Sequence, residues 1–446
     1  MRSTTSRMAG QTRVPPRDER EGLLEDAGYN LFGVPAEAVA VDLLTDSGTG
    51  TMSEAQWAAL HRGDEAYAGS RSFDRLAAAV EDVMGIPHVV PAHQGRGAEN
   101  VLYGTILEEG DVVPNNTHFD TTRAHVVSNG GEPVDCPVDG ALDPDASGDF
   151  LGNFDVECAR NVVDEVGADR VPAVIVTITN NSAAGQPVSV ANLRETRAFA
   201  DEIDARLVID ACRFAENAHF VTRREDEFAD ATVAEVAREQ LSFADAVVMS
   251  GKKDGLVNVG GFVGLADDAL LEPVKQRAIL YEGFPTYGGM AGRDLEAFAV
   301  GLREAVTPPY VRERVEQVRE LADLIEDAGL PVYRPVGGHA VYVDAGTAYD
   351  HVPDDRFPGQ ALAVDLYRDG AVRGVELGSF AFPGTDRPEL VRLALPRRTY
   401  HREHLEHVGE TAAAVADGAA DASGLEIVEE PPMRELRHFS ATLRPV

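Results

Sequence analysis

The chain has 446 residues, 44% of them hydrophobic, enough to bury cores in two or three compact units. Forty basic residues against seventy-five acidic ones leave a net charge of −35, which excludes nucleic-acid binding through a general basic surface. No run of about eighteen apolar residues occurs, and MRSTTSRMAGQTRVPPRDERE at the start holds no apolar segment of signal-peptide length, so the expectation is a soluble, cytoplasmic protein with no membrane partner.

Residues 1–45 read as an N-terminal arm that also supplies part of a small domain, with a short helix around 18–27. A large α/β domain is expected over 46–305. Within it, 173–178 (AVIVTI) is a buried-strand run, and 190–204 carries apolar residues at helical spacing. Residues 207–209 start another strand, 231–241 a helix, and 246–249 and 260–265 two further strands. Strands alternating with helices of this length predict βαβ units in a mostly parallel sheet. One long helical stretch near 293–328 leads out of this domain. A smaller C-terminal α/β domain over 306–446 mixes short elements at 340–343, 361–368 and 390–395, with a loop at 417–424.

In a parallel sheet, ligands gather beyond the carboxyl ends of the strands. Three polar segments fall there: TNNS (179–182) after AVIVTI, DACR (210–213) after LVI, and SGKK (250–253) after AVVM. An acid, an amide, an arginine and a lysine pair would thus face one crevice. A lysine amine forms a Schiff base with an aldehyde cofactor, and an acid at a pyridine nitrogen keeps that ring electron-poor. Pyridoxal phosphate (PLP) meets both requirements and ranks ahead of other α/β ligands. SGKK also matches the Ser-x-x-Lys of some serine acyl-transfer enzymes, but the partner motifs of those enzymes are absent. HQGRGAE (93–99), ahead of an expected helix, offers backbone N–H groups and an arginine to a phosphate.

Lysine is scarce. Only Lys252, Lys253 and Lys275 occur, and two of the three fall in this one segment. An acidic, lysine-poor surface suits a salt-rich cytoplasm, where about 1 M salt shortens electrostatic screening to about 3 Å. The three cysteines, Cys136, Cys158 and Cys212, are odd in number and widely spaced, so ordinary thiols in a reducing compartment are expected.

Longer motifs carry a family resemblance. DLLTDSGTGTMS (42–53), RGDEAYAGSRS (62–72), HQGRGAEN (93–100), AGQPVS (184–189), DACRFAENA (210–218), MSGKKD (249–254), EGFPTYGGM (282–290), LPRRTY (395–400) and LRHF (436–439) resemble, in order, the β-eliminating lyases. The resemblance covers roughly 28–446. It implies the aspartate aminotransferase-like fold of PLP enzymes (fold type I), a large domain with a mixed, mostly parallel sheet plus a smaller α/β domain, and a homotetramer built as a dimer of dimers.

The resemblance also implies roles. Lys253 joins the cofactor and moves the α-proton, and Asp210 pairs with the pyridine nitrogen. Arg213 and Asn181 face the ring oxygen, Phe119 stacks on the ring, and Gln94, Gly95, Arg96 and Ser250 hold the phosphate. Arg397 binds the substrate carboxylate with Thr45 and Asn181, and Tyr67 donates a proton near the leaving group. Glu65, with the carbonyls of Gly48 and Asn258, resembles a monovalent-cation site, potassium being the expected ion. Three oxygens are a small set, so water or further carbonyls would complete it.

Three positions separate the branches of the family. The tyrosine-cleaving branch places an arginine where this chain has Leu377, and a threonine where it has Asp120. His438 in LRHF again matches the tryptophan-cleaving branch. An indole gains apolar contact at Leu377, whereas a phenol loses its charged partner. The implied reaction is β-elimination of L-tryptophan to indole, pyruvate and ammonia. Cleavage of tyrosine or of S-alkylcysteines is the alternative, and a non-catalytic PLP-binding protein ranks below both.

Overall fold

The computed structural model describes residues 3–4, 10–385 and 387–446; residues 1–2 and 5–9 of the expected arm lie outside them. The chain forms two compact units. One comprises Ser47–Ala141 and Gly148–Arg314, the other Met1–Asp46, Leu142–Ser147 and Val315–Val446.

The first unit is built on seven strands: β1 (His88–Ala92), β2 (Val112–Asn115), β3 (Glu132–Asp135), β4 (Ala173–Thr177), β5 (Arg206–Asp210), β6 (Ala246–Ser250) and β7 (Gly261–Leu265). Their order across the sheet is β1-β7-β6-β5-β4-β2-β3. β4 shows why these runs become strands covered on both faces. Val174 and Val176 pack into one apolar cluster, Ala173 and Ile175 into another, as the two-residue period of a strand requires.

Neighbours from β6 through β3 run parallel. β7 runs antiparallel to both β6 and β1. No crossover helix separates β6 from β7, and the turn between them is too short for one. The sheet is therefore mixed but mostly parallel. β1, β2 and β3 had no counterpart among the strands expected from the sequence.

Other expectations need correction. The helical stretch at 293–328 is two helices, Gly292–Ala305 and Pro308–Asp327. Pro308 and Pro309 explain the break: proline fits a helix's first turn but cannot accept a helix running into it. HQGRGAE is only partly a loop, because the helix Gly95–Ile106 begins inside it. Most of 417–424 is likewise ordered, with the helix Arg402–Gly418 running into a short 3-10 turn at Ala419–Asp421. Cys136 and Cys158 are not ordinary thiols but a disulfide, their Cα atoms 5.6 Å apart. Cys136 follows β3 and Cys158 lies in the first turn of the helix Val156–Val166, so a 22-residue excursion returns the second cysteine to the first. Cys212 remains a free, buried thiol.

The second unit has its own core, including Leu24, Val41, Leu321, Val341, Leu362 and Leu393. A three-stranded antiparallel sheet lies at its centre, ordered Val375–Glu376, Leu390–Ala394, Ala340–Asp344. The N-terminal segment belongs here: Val41–Asp42 pairs in parallel with Val372–Arg373. No helix among the described residues is long and apolar enough to cross a membrane.

Candidate active site

Strand ends in the first unit make one pocket. Its lining includes Gln94, Arg96, Phe119, Asp210, Ser250 and Lys253. Asp210 ends β5 and Ser250 ends β6, two neighbouring strands in register. Lys253 follows in the turn after β6, where its N–H donates to the Ser250 carbonyl at 3.2 Å. The parallel arrangement thus delivers an acid, a hydroxyl and an amine to the same end of the sheet.

The helix Gly95–Ile106 starts at the same place. Its first N–H groups, from Gly95 and Arg96, have no partner within the helix, and with the Gln94 amide and the Ser250 hydroxyl on the same pocket they are a set able to receive an anion. Gly95 is required by close approach: a Cβ there would stand 2.7 Å from Ser250 Cβ. A phosphate binder, an acid for a ring nitrogen, an aromatic face and a primary amine in one pocket fit PLP.

Phe119 is held from behind. It caps the helix Asp120–Ser128, and the preceding residue, His118, is clamped by Asp135 at the end of β3. Asp135 Oδ1 accepts from the His118 N–H at 2.8 Å and lies 2.7 Å from Nδ1, while Arg123 reaches Oδ2 at 2.6 Å. Burial alone would raise the Asp135 carboxyl, but its bonds and charge contact with His118 and Arg123 win and hold it at about 2. Asp120 opens the helix, and its own carboxylate accepts from the Thr121 N–H at 2.5 Å.

Asn181 and Arg213 are both buried. Asn181 follows β4, and Arg213 precedes the helix Phe214–Arg224, its N–H bonded to the Ile178 carbonyl. Neither is among the residues lining the pocket. Tyr67 does not line it either; it is 67% exposed and stacks on Phe284, ring centres 5.2 Å apart.

Of the expected cation ligands, Gly48 and Asn258 stand together, the Asn258 amide donating to the Gly48 carbonyl at 2.9 Å. Glu65 is engaged elsewhere, accepting from the Gly292 N–H at 2.9 Å and pairing with Arg293 at 3.1 Å.

Among the lining residues without an assigned role, three carry titratable groups. Lys252 also faces the pocket, its Nζ 3.5 Å from Gln94 Oε1. Burial and the neighbouring charges of Lys253 and Arg96 pull its amine below the usual lysine range. Cys212 lines the pocket two residues beyond Asp210. Glu99, one helical turn after Gly95, is a buried carboxyl that accepts from the Thr122 hydroxyl. Burial pushes it up to about 7, against the pull of Thr122 and Thr121, with Asp210 and Asp120 adding to the rise. The spacing Gly95, Arg96, Glu99 on one helical face was the signal available for the last of these.

Thr45, Leu377, Arg397 and His438 belong to the second unit. Arg397 is 2% exposed, and its Nη1 lies 2.8 Å from the Asp46 carboxylate. Thr45 is half-buried next to Asp46. Leu377 is half-buried at the end of a short strand, its N–H bonded to the Leu390 carbonyl. His438 is buried; desolvation, helped by Arg392 and Arg437, lowers its pKa to about 4, so the ring is neutral at neutral pH.

Residues 42–416 match a family described as β-eliminating lyase. The chain is 66% identical to a probable tryptophanase of Halobacterium salinarum over the full length of both proteins. It is 50% identical to a tryptophanase of Salinibacter ruber, covering 96% of this chain and 92% of that one. It is 46% identical to a tyrosine phenol-lyase of Pasteurella multocida, covering 96% and 95%. Among solved structures, a serine palmitoyltransferase of Sphingomonas wittichii superposes with a TM-score of 0.63 at 14% identity, covering 91% of this chain and 97% of that one. That likeness shows the fold alone, the α/β architecture of fold type I.

Proposed function

The chain belongs to the β-eliminating lyase family, and on that premise we propose that it cleaves L-tryptophan to indole, pyruvate and ammonia with PLP as cofactor. The observation that carries the cofactor reading is the convergence of Asp210, Lys253, Phe119 and the Gln94–Arg96 cradle on one pocket.

PLP, when bound, supplies an electron-accepting ring that spreads the charge left at the substrate α-carbon. The residues divide the remaining work. Gln94, Gly95, Arg96 and Ser250 hold the phosphate. Asp210 keeps a proton on the pyridine nitrogen, and Phe119 orients the ring by stacking. Asn181 and Arg213 direct hydrogen bonds to its phenolic oxygen. Lys253 Nζ removes the α-proton. Arg397, its guanidinium fixed by Asp46, takes the substrate carboxylate with Thr45 and Asn181. Loss of indole requires a proton at the ring carbon joined to the side chain. Tyr67, Asp120 and His438 are the candidates to place it, and a neutral His438 is able to accept or share a proton.

Leu377 supports tryptophan over tyrosine, since an apolar side chain offers no partner to a phenol hydroxyl. The carbonyls of Gly48 and Asn258, joined by Glu65, are our candidate potassium ligands. Exposed Ile279, Leu280 and Tyr281, at 50%, 79% and 56%, support a subunit interface, and we take the assembly to be a homotetramer. The charge of −35 supports a salt-rich cytoplasm as its setting.

The test is an indole and pyruvate assay with PLP and L-tryptophan in concentrated KCl, with L-tyrosine as control. Indole and pyruvate together establish the reading. A bound PLP absorbance band without indole moves the substrate to tyrosine or a cysteine derivative. Lys253→Ala tests the cofactor site: cofactor still fixed covalently by borohydride in that variant would place it on another amine.

A further inference from the structure

The segment that carries Leu377 is held by two buried carboxyl groups. Glu376 is 1% exposed and Glu389 is 5% exposed. Glu376 ends one strand and Glu389 precedes its antiparallel partner, so the sheet brings them to the same end. Glu376 accepts from the N–H groups of Gly378 at 2.6 Å, Phe380 at 3.1 Å and Ala381 at 2.8 Å. Glu389 Oε1 accepts from the Ser379 N–H at 2.7 Å. Four consecutive amides, 378 to 381, thus end on two carboxyl groups.

The two acids meet at Gly378. A Cβ there would stand 2.6 Å from Glu389 Oε2 and 2.8 Å from Glu376 Oε1. Both oxygens of Glu376 are occupied by donors. Glu389 Oε2 is buried with no hydrogen-bond partner among the described residues. Two buried carboxylates this close do not both ionise readily, and the unpartnered oxygen is the natural seat of a shared proton.

The other groups facing the pair are few. Arg437 clamps the same segment from its carbonyl side, Nε to Phe380 O at 2.8 Å and Nη2 to Ser379 O at 2.6 Å, while pairing with Glu430. Asp354 adds negative charge near Glu389, and the backbone of Gly359, in the first turn of the helix Pro358–Gly370, lies beside its Oε2. Burial first, then the charge of Glu389, raises Glu376 to about 8, and burial also raises Glu389.

We propose that Glu376 and Glu389 form a proton-sharing pair that positions the segment 377–381, and through it Leu377, so that the pair governs selection of the aromatic substrate without touching it. This rests on the reading of Leu377 as a substrate-facing residue. Losing the shared proton leaves two buried anions at Gly378, and the segment relaxes. Arg437 gives the same segment a clamp that does not titrate, and it adjoins His438, so hydrogen bonds tie the two candidate substrate-handling segments together.

The experiment compares wild type with Glu389→Gln in the PLP-loaded full chain at high KCl. Hydrogen–deuterium exchange of residues 375–383, corrected for intrinsic amide chemistry, is followed from about pH 7 to about pH 9. Wild type should lose protection there by about ten-fold or more. Glu389→Gln, whose amide keeps a donor in place at every pH, should stay protected. In parallel, KM for L-tryptophan should rise with pH in wild type and stay flat in the variant, with kcat unchanged and KM for an S-alkylcysteine unmoved in both. Equal pH responses of the two proteins would overturn the proposal. Should the variant fail to fold, wild-type exchange decides alone: protection unchanged between the two pH values would also overturn it. If wild type releases no indole, the substrate reading falls, while the exchange measurement still judges the pair.

Discussion

Asp135 grips His118 with a single carboxylate oxygen, 2.8 Å from the backbone N–H and 2.7 Å from the ring Nδ1, and so fixes the residue preceding Phe119. This carboxyl is held at about 2 against an ordinary 3.8. A depressed carboxyl contributes stability that is complete above its unfolded pKa and lost as pH falls through the folded one. The window therefore runs from about pH 4 down to about pH 2. Asp135→Asn should remove about 2 kcal/mol at neutral pH and flatten this acid limb in urea melts. If Phe119 positions the cofactor, the same variant should weaken PLP binding by about ten-fold in an absorbance titration. Unchanged acid stability would show that the His118 contact carries no net energy.

The ion pair between Arg397 and Asp46 has both partners almost fully buried, at 2% and 3% exposure. A guanidinium presents a rigid fork that holds one carboxylate while meeting a second; an ammonium does not. Arg397→Lys should therefore lower kcat/KM for L-tryptophan by about 100-fold, mostly through KM, roughly 3 kcal/mol of lost binding. Asp46→Ala should instead destabilise the fold by about 3–5 kcal/mol, because it strands a buried charge. An Arg397→Lys variant with a wild-type KM would remove Arg397 from the substrate site.

How far the sequence revealed these features depended on the kind of signal. The strands 173–177, 206–210 and 246–250 hold apolar runs that lead into TNNS, DACR and SGKK respectively, and such runs announce themselves. β2 and β3 did not, because VVPN and EPVD carry prolines that hide a strand in sequence. The antiparallel β7 was invisible as a direction, since an apolar run has no polarity until its connection is known. The Cys136–Cys158 bridge depended on a loop returning, which spacing alone does not encode. Nothing local in the sequence marks Glu99, Glu376 and Glu389 as buried, because burial of a charge is decided by neighbours distant in sequence.

Glu99 provides a second pH test with the opposite sign. Its carboxyl is raised from 4.5 to about 7, so the folded chain keeps a proton that the unfolded chain has released across that window. Stability from this group is complete below about pH 4.5 and is lost as pH rises through about 7. Glu99→Gln is nearly isosteric with the protonated form and does not titrate. The two proteins should be close in stability at the acidic end, and the variant should gain on wild type by roughly 3 kcal/mol towards pH 8. Parallel stability curves would mean that Glu99 is ionised in the fold and solvated by groups beyond Thr122.

Salt should act on this chain in two separable ways. Its charge of −35 is spread over a surface with only three lysines, so neutral pH forces like charges together in the folded state. Screening reaches about 30 Å in 0.01 M salt but only about 3 Å at 1 M, which removes most of that repulsion. Thermal stability should therefore fall steeply on dialysis into dilute buffer, by about 10 °C or more. Because screening depends on ionic strength and little on the identity of a monovalent cation, NaCl and KCl should restore Tm alike. A cation held by the Gly48 and Asn258 carbonyls with Glu65 would behave differently. It selects by ion size, saturates at low concentration, and should make activity, but not Tm at high ionic strength, depend on K+ over Na+. Scanning calorimetry and indole release in the two salts separate the effects. A Tm indifferent to dilution would refute the charge argument, and equal activity in the two salts would refute the potassium site.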